Sequence, residues 1–264
     1  MRKMTSEEIK KTELELLNVF DEFCRENGLK YVLDSGTLLG AIRHNGFIPW
    51  DDDIDVIMPY PDFEKFIKLF EAQDDYNNID VIYYMKKNAA IPFAKLIDDR
   101  TIVISPNRDK AYRYSVWIDI FPMFSVSNDD DEAKEQVQII YDCVHKSWKH
   151  MKNRCKSKNP LRRIKTSIDN RRILKDCINT AVSTAKRYPY GTTKRLRLLS
   201  GITAKTHFPP LELFDDCIYH EFEGKQFLIP RDYDSVLRSY YGDYMQLPPE
   251  NERYGHTVEA YYKD

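Results

Sequence analysis

The spacing of apolar residues changes along the chain, and these changes predict a mixed α/β fold. Residues 6–27 carry apolar side chains three and four positions apart, as on one face of an amphipathic helix. Thr5 and Glu8 form the pattern of a capping box, and Asn27-Gly28 is typical of a helix end. Short apolar runs then predict strands with helices between them, which is typical of a sheet covered by helices. The predicted strands are residues 29–33, 54–58, 79–85, 93–97, 101–105 and 115–121, and the predicted helices are residues 38–43 and 61–71.

The second half of the chain predicts an insertion and then a hairpin. Residues 130–187 have the pattern of two long helices that break near Lys158-Asn159-Pro160. Apolar stripes on these helices, which include Ile164 and Ile168, are more typical of core packing than of a binding surface. A hairpin at residues 217–229 and a helix at 233–240 follow. We expect one catalytic domain over residues 1–264, with a helical insertion at about 130–210.

The insertion is strongly basic, although the whole chain has a net charge of only −2. Residues 145–205 contain 18 Lys and Arg but only two acids, Asp169 and Asp176, so this segment carries +16 and the remainder −18. A helix that is charged only for solubility normally carries both signs. The asymmetry predicts peripheral contact with an anionic membrane surface or a polyanionic glycan precursor. We expect no nucleic-acid partner. Placement of these charges over the active site is the alternative.

Residues 34–56 contain the candidate chemistry. In an extended strand Asp53 and Asp55 lie on one face, with Ile54 and Val56 on the other. Two carboxylates so placed can bind a hard divalent cation such as Mg²⁺ or Mn²⁺. A small-residue turn around Gly36, before a short helix, offers backbone N–H groups to a phosphate. Metal and phosphate together indicate phosphoryl or nucleotidyl transfer.

Two other interpretations of the acidic run are less consistent with its flanks. A solvated acidic loop would not need the apolar residues that precede and interleave the run, Trp50 and Ile54 among them. An EF-hand loop would need glycine where Val56 stands and glutamate where Asp62 stands. We therefore reject the EF-hand and favour a buried metal-binding strand.

Three segments together resemble the LicD-type transferases. The first segment combines Gly36-Thr37-Leu38-Leu39-Gly40, Arg43, the run 46–50 and Asp52–Asp55. The later ones are Trp117–Pro122 and Tyr241–Met245, the latter followed by Pro248-Pro249. LicD-type proteins are bacterial phosphocholine transferases related to fukutin and fukutin-related protein, in the nucleotidyltransferase-fold superfamily. The resemblance covers roughly residues 10–125 and 215–260. This chain has Gly36-Thr37 where the superfamily usually has Gly-Ser, and threonine keeps the hydroxyl.

The resemblance implies a nucleotidyltransferase-like central sheet and a transferase that uses a CDP-activated donor. It implies transfer of phosphocholine from CDP-choline to a sugar hydroxyl of a cell-surface glycan or teichoic acid precursor, with release of CMP. Another CDP-linked donor, carrying ethanolamine, glycerol or ribitol phosphate, would use the same chemistry. A non-catalytic, glycan-binding family member is the remaining alternative.

Asp119 is the best candidate for a third carboxylate. It is a lone acid within an apolar run, where an unpaired charge is costly unless it binds a metal or a partner. With Asp53 and Asp55 it would hold one or two Mg²⁺ ions, and it could take a proton from the acceptor hydroxyl. Pairing with a buried arginine or capping of backbone is the structural alternative. Lys95 and Arg43 are candidate phosphate clamps, or else a surface lysine and a helix-end arginine.

The remaining candidates are predicted to contact substrate. Aromatic side chains crowd the last segment, and such faces attract a quaternary ammonium group like that of choline. His256 could orient phosphate, although a single histidine is more often structural. The substrate-binding candidates are Gly36, Thr37, Arg43, Trp50, Lys95, Tyr241, Asp243, Tyr244 and His256.

Bulk properties favour a cytoplasmic protein. The chain has no stretch of about 18 apolar residues, and its first residues lack the apolar segment of a signal peptide. Five widely spaced cysteines without a CxxC pair indicate reduced thiols rather than a zinc site or a disulfide framework. We expect a cytoplasmic protein that makes peripheral contact with the inner face of the plasma membrane.

Overall fold

Two long antiparallel strands, β5 (Ile91–Ile104) and β6 (Tyr114–Val126), form the centre of the sheet. The computed structural model describes residues 1–73, 76, 78–84, 86, 91–104, 114–152, 159–200, 208–253, 255 and 259–263. The other strands of this sheet are β1 (Arg2–Lys3), β2 (Val32–Leu33), β3 (Asp55–Pro59), β4 (Ile79–Tyr84), β7 (Arg195–Leu198) and β10 (Glu259–Tyr262). β8 (Cys217–Phe222) and β9 (Lys225–Pro230) form a separate hairpin.

The order of the sheet is β1-β10-β5-β6-β3-β2, with β4 also paired to β5 and β7 to β6. β3 and β6 run parallel, and the other pairs described are antiparallel. The predicted mixed α/β fold is confirmed. The parallel pair is what places the acidic motif of β3 beside the middle of β6.

Most helices begin and end close to their predicted positions, although the helix predicted at residues 38–43 begins three residues before its predicted start. The helices are α1 (Ser6–Glu26), α2 (Ser35–His44), α3 (Tyr60–Glu71), α4 (Asp130–Lys152), α5 (Pro160–Ala185) and α6 (Tyr233–Tyr241). The capping box of α1 is confirmed: the Thr5 hydroxyl accepts from the Glu8 N–H at 3.2 Å, and the Glu8 carboxylate accepts from the Thr5 N–H at 2.9 Å. Among the helices of the described residues, none has the length and apolar content needed to cross a membrane.

Aromatic side chains pack α1 against α3. Phe20 and Phe23 of α1 lie edge-on to Phe66 of α3, with ring centroids 5.1 and 5.6 Å apart, and Phe23 also contacts Phe70 at 5.1 Å. Such pairs stabilise by about 0.5–1.5 kcal/mol beyond the apolar area they bury. This layer fixes α1 over β5 and β6, so a side chain on the inner face of α1 can reach the acidic motif.

The basic insertion forms a helical hairpin that leaves β6 and returns to it. Buried Gln136 of α4 donates from Nε2 to the carbonyl of Thr184 in α5 at 2.9 Å and to that of Ser125 in β6 at 3.3 Å. Leu174 and Ile178, farther along α5, are buried. The prediction that Ile164 and Ile168 pack in the core is wrong, because both are largely exposed.

Several strands differ from the sequence-based prediction: β1 was not predicted, β2 is shorter than predicted and β6 is longer. Residues 93–97 and 101–105 were predicted as two strands, but β5 runs through both, with an irregular register opposite β6 between Asp98 and Val103. β7 and β10 were not predicted, since both are short and gain their hydrogen bonds from distant strands. β3 begins at Asp55, so Asp53 lies in the segment just before the strand.

We expect Gly40→Ala to destabilise the fold by about 2–3 kcal/mol, because a methyl group there would overlap the backbone carbonyl oxygen of Gly46. That backbone is tied on both sides: the Gly46 N–H donates to the Gly40 carbonyl, and the neighbouring Asn45 carbonyl accepts from the Glu223 N–H. Gly224→Ala is the matched control, since a methyl group there meets no atom and only the positive φ of 74° is strained, at about 1 kcal/mol. Urea unfolding measures both, and equal effects would contradict the proposed overlap.

Candidate active site

The parallel pairing of β3 with β6 brings two carboxylates together. Asp55 lies opposite Asp119 in the register of these strands, and the Asp119 N–H donates to the Ile54 carbonyl at 2.9 Å. Asp53 lies two residues before Asp55 in the chain, with Ile54 between them. Ile54 and Val56 are fully buried, whereas Asp53 and Asp55 are partly exposed, which is the alternation expected for an extended segment. The three predicted acids therefore share one region of the sheet.

Burial and the charges of neighbouring acids both act on Asp55. The pKa of Asp55 is raised well above its ordinary value, first by burial and then by the nearby charges of Asp53, Asp119 and Asp34. Within the described ranges, no group of three or more His, Cys, Asp or Glu side chains is arranged as a metal site. The acids are thus neighbours that do not converge on a common centre in this structure.

Lys95 and Trp117 hold the carboxylate of Asp119. Lys95 lies opposite Asp119 in the β5–β6 pair, and its ammonium group forms an ion pair with Oδ1 of Asp119. Trp117 Nε1 donates to Oδ2 at 2.9 Å, and the Lys95 ammonium lies 4.3 Å from the centroid of the Trp117 ring. Lys95 is not the surface lysine of the alternative interpretation, because it is buried. The structural alternative predicted for Asp119 was a buried ion pair with arginine. The observed contact is such a pair, but its basic partner is lysine.

Thr37 and Gly36 fix the start of β3 against α2. Both lie in the first turn of α2, which begins earlier than predicted. The Thr37 hydroxyl accepts from the Asp55 N–H at 2.9 Å, so this side chain positions the acidic strand directly. A methyl group at Gly36 would overlap the carboxylate of Asp51, and the absence of a side chain lets the acidic segment approach the helix.

A basic and aromatic rim borders the acids. Arg43 donates from Nη1 to the Tyr244 carbonyl at 2.7 Å, and burial together with the charge of Arg253 lowers its pKa. The Arg253 guanidinium lies 5.2 Å from the centroid of the Trp50 ring. Tyr241 exposes 44% of its surface, yet burial of its hydroxyl and the charges of nearby acids, Asp34 first, raise its pKa. Sequence reasoning missed Arg253, which lies between two recognisable segments without a motif of its own.

Three other residues predicted to contact substrate, Tyr244, Asp243 and His256, are not part of this rim in the described structure. Tyr244 is buried, and its hydroxyl donates to Asp234 at 2.8 Å, so its ring is part of the packing around α6. Burial and then that hydrogen bond raise its pKa to about 12. Asp243 is exposed just beyond the end of α6. His256 lies outside the described residues.

Glu13 of α1 is an acidic group that sequence reasoning missed. Its side chain is 4% exposed, and Oε2 has no hydrogen-bond partner in the part of the chain that the structure describes. Burial raises its pKa well above the ordinary value, and the charges of Asp53, Asp52 and Asp119 raise it further. A signal did exist: Glu13 stands four residues after Ile9 and four before Leu17, in the middle of the apolar stripe of α1.

Asp34, which precedes α2, is a second buried acid beside the site. Its Oδ1 has no hydrogen-bond partner among the described residues, while Oδ2 accepts from the Ser35 hydroxyl at 3.0 Å. Burial raises the pKa of Asp34, and hydrogen bonds with Ser35 and Tyr240 lower it in part. Its charge raises the pKa of both Tyr240 and Tyr241. Two buried carboxylate oxygens with unused acceptor capacity therefore flank the predicted trio.

Comparison with known proteins assigns this constellation to a family. Residues 28–165 match the LicD/FKTN/FKRP nucleotidyltransferase domain, which is more than half of the chain. The protein belongs to this family, as the motifs predicted. The lipopolysaccharide cholinephosphotransferase LicD of Haemophilus influenzae is 29% identical over 99% of both chains.

Shorter similarities fall on two uncharacterized rickettsial proteins. One, from Rickettsia typhi, is 40% identical over 60 residues, which is 22% of this chain and 19% of the relative. The other, from Rickettsia prowazekii, is 46% identical over 48 residues, or 18% of each chain. These two matches are local, whereas the similarity to the Haemophilus protein spans the insertion and the C-terminal segment as well.

We expect Glu13→Gln to make the protein more stable than the wild type at pH 8, and the gain to shrink towards pH 4. Because folding raises the pKa of Glu13, the group contributes stability that is fully present below its unfolded pKa and is lost as the pH rises through its folded pKa. Each unit between the two pKa values corresponds to about 1.4 kcal/mol. Urea unfolding of protein kept in chelator measures the effect. Glu22→Gln, at an exposed position of α1, is the control, and a pH-independent difference for Glu13→Gln would refute the expectation.

Proposed function

We propose that the protein transfers phosphocholine from CDP-choline to a sugar hydroxyl of a cell-surface glycan or teichoic acid precursor and releases CMP. The observation that carries the proposal is the pairing of Asp55 with Asp119 on adjacent parallel strands, with Asp53 next to them. Family membership and similarity to a cholinephosphotransferase over nearly the whole chain support transferase activity and phosphocholine as the group transferred.

The donor set of the site suits a hard divalent cation. Asp53, Asp55 and Asp119 offer carboxylate oxygens, the ligands that Mg²⁺ and Mn²⁺ prefer, and two further buried carboxylate oxygens nearby have no hydrogen-bond partner among the described residues. To hold one or two Mg²⁺ ions, the three carboxylates would have to converge further than they do in the described structure. The chemistry of such ions is to neutralise the diphosphate of the donor. A cation would also relieve the repulsion that raises the pKa of Asp55.

The proposed reaction is a displacement at the phosphorus that carries choline. The acceptor hydroxyl oxygen forms a bond to that phosphorus, and the bond from the same phosphorus to the oxygen shared with CMP breaks. The electron pair leaves with CMP, and Asp119 takes the hydroxyl proton. Lys95 would exchange its ion pair with Asp119 for one with a donor phosphate, which frees Asp119 to accept the proton. This exchange reconciles the phosphate clamp predicted for Lys95 with the contact described above.

The rim supports recognition of a cationic alcohol. Tyr241 combines an exposed ring with a position beside the acids, and an aromatic face over negative charge favours a quaternary ammonium group. Arg43 and Arg253 lie next to Trp50 and Tyr241, where they would contact the diphosphate. Choline therefore fits better than glycerol or ribitol, which carry no positive charge.

We also propose that the protein acts in the cytoplasm in peripheral contact with an anionic membrane. The +16 charge of residues 145–205 is the basis for this part of the proposal. A membrane-bound glycan precursor would then meet the active site without diffusing through the bulk solution.

We expect Asp53→Asn and Asp55→Asn each to lower turnover at least about 100-fold, since each removes a charge from the site that stabilises the transition state. The fold should persist, because loss of a repelled charge does not destabilise it. CMP release and thermal unfolding in chelator measure the two effects. Asp131→Asn, at an exposed position of α4, should behave as wild type. Full activity of either site variant, or undiminished activity in excess chelator, would exclude this mechanism.

CDP-choline should raise the unfolding temperature more than CDP-ethanolamine, CDP-glycerol or CDP-ribitol, and the shift should require Mg²⁺. With a glycan acceptor, CDP-choline should be consumed with one CMP released per phosphocholine transferred, as ³¹P NMR can show. A larger shift with another CDP-alcohol would reassign the donor. Release of pyrophosphate from CTP, with a nucleotide added to the acceptor, would instead identify a nucleotidyltransferase.

A further inference from the structure

The first half of α5 presents an apolar stripe to solvent. Leu161, Ile164 and Ile168 expose 75%, 58% and 63% of their surfaces. Their spacing of three and four residues places them within about 60° of one another around the helix axis. Isolated exposed apolar residues need no explanation, but an aligned set on one helix face marks an interaction surface.

This stripe faces away from the rest of the protein. In the same half of α5 the half-buried residues are Thr166 and Asn170, and Asn170 lies 3.3 Å from the ring of His150 in α4. Thr166 and Asn170 lie on the opposite side of the helix from the stripe. Asn170, for example, lies roughly 160° around the helix axis from Ile168. The apolar stripe is therefore not the surface by which α5 packs on α4.

Basic side chains border the stripe on both sides. Lys165, Arg171, Arg172 and Lys175 are exposed and lie within about 70° of its centre around the helix. In the described part of the chain, no ion pair involves any of these four side chains. Their long alkyl stems allow the charged ends to reach outward while the helix lies close to an apolar phase.

We infer that the first half of α5 lies in the interface of an anionic lipid bilayer, with Leu161, Ile164 and Ile168 inserted at the level of the acyl chains and the flanking Lys and Arg at the lipid phosphates. A soluble polyanionic glycan would account for the charge but not for the apolar stripe. A second copy of the chain would cover the stripe but would bring two strongly basic faces together. A bilayer satisfies both features at once.

Sedimentation of the full-length protein with vesicles tests the inference. Wild type should bind vesicles of phosphatidylglycerol and phosphatidylcholine but bind phosphatidylcholine alone weakly. The triple variant Leu161→Ser, Ile164→Ser, Ile168→Ser keeps every charge, and we expect it to bind at least about tenfold more weakly. Leu247→Ser, at another exposed apolar position, is the matched control and should bind as wild type. Replacement of the four flanking bases by Glu should also weaken binding and reduce its dependence on salt.

Each other result would overturn the inference. Equal vesicle binding by the triple Ser variant and wild type would show that charge alone acts. Self-association of wild type that the Ser variant loses, without vesicle binding, would identify a second copy as the occupant. Displacement of the wild type from vesicles by a soluble polyanion, with no defect in the Ser variant, would favour the glycan. The inference does not depend on the proposed reaction, because vesicle binding is measured without donor or acceptor and turnover on a soluble acceptor is measured without vesicles.

Discussion

The pairing of β3 with β6 is the constraint on which the site depends. Parallel strands in register place Asp55 beside Asp119, and the main chain of Asp119 is fixed to that of Ile54 by a 2.9 Å hydrogen bond. The carboxylates cannot move apart without breaking the sheet, so their repulsion persists in the folded protein. Three contacts hold β3 in this position: β2 on its other edge, the Asp34 N–H to the Asp55 carbonyl at 3.1 Å, and the Thr37 hydroxyl.

This concentration of negative charge explains features that look unrelated in the sequence. Lys95 is buried because Asp119 compensates its charge, and Trp117 adds both a hydrogen bond and an aromatic face to the same pair. Glu13 and Asp34 approach from α1 and from the start of α2, each with a carboxylate oxygen that has no hydrogen-bond partner in the described residues. Protein groups therefore offset only part of this negative charge. Buried carboxylates whose oxygens accept no hydrogen bond are typical of sites where a bound ligand supplies the missing partner.

Local signals in the sequence predicted most of the helices, but they did not predict strands that pair with distant parts of the chain. The capping box of α1, the hairpin at residues 217–229 and the helix at 61–71 depend on neighbouring residues, and each was predicted. β7 and β10 depend on partners far away in the chain, and their own sequences carry little signal.

The residues of the candidate site also fall into those that local motifs predicted and those that only the tertiary structure reveals. Asp53, Asp55 and Asp119 lie in recognisable motifs, whereas Glu13 and Arg253 approach the site only through tertiary packing, although Glu13 interrupts an apolar stripe. For the apolar stripe of α5 the error was of the opposite kind, because residues predicted to be buried are exposed. The pattern of Ile164 and Ile168 is that of a core face, and periodicity alone does not distinguish a face that packs on protein from one that remains exposed.

The helical hairpin and the acids share a strand, which links the two proposals mechanically. β6 carries Asp119 near its middle and leads within a few residues into α4, while β7, which follows α5, pairs with the end of β6. Buried Gln136 ties both helices to this end of the strand, and Arg195 of β7 pairs with Asp130 at 2.6 Å. The base of the hairpin is therefore anchored to the strand that carries the third acid. A bilayer contact in the first half of α5 would set the orientation of the acids relative to the membrane, because the packed base leaves little freedom between them.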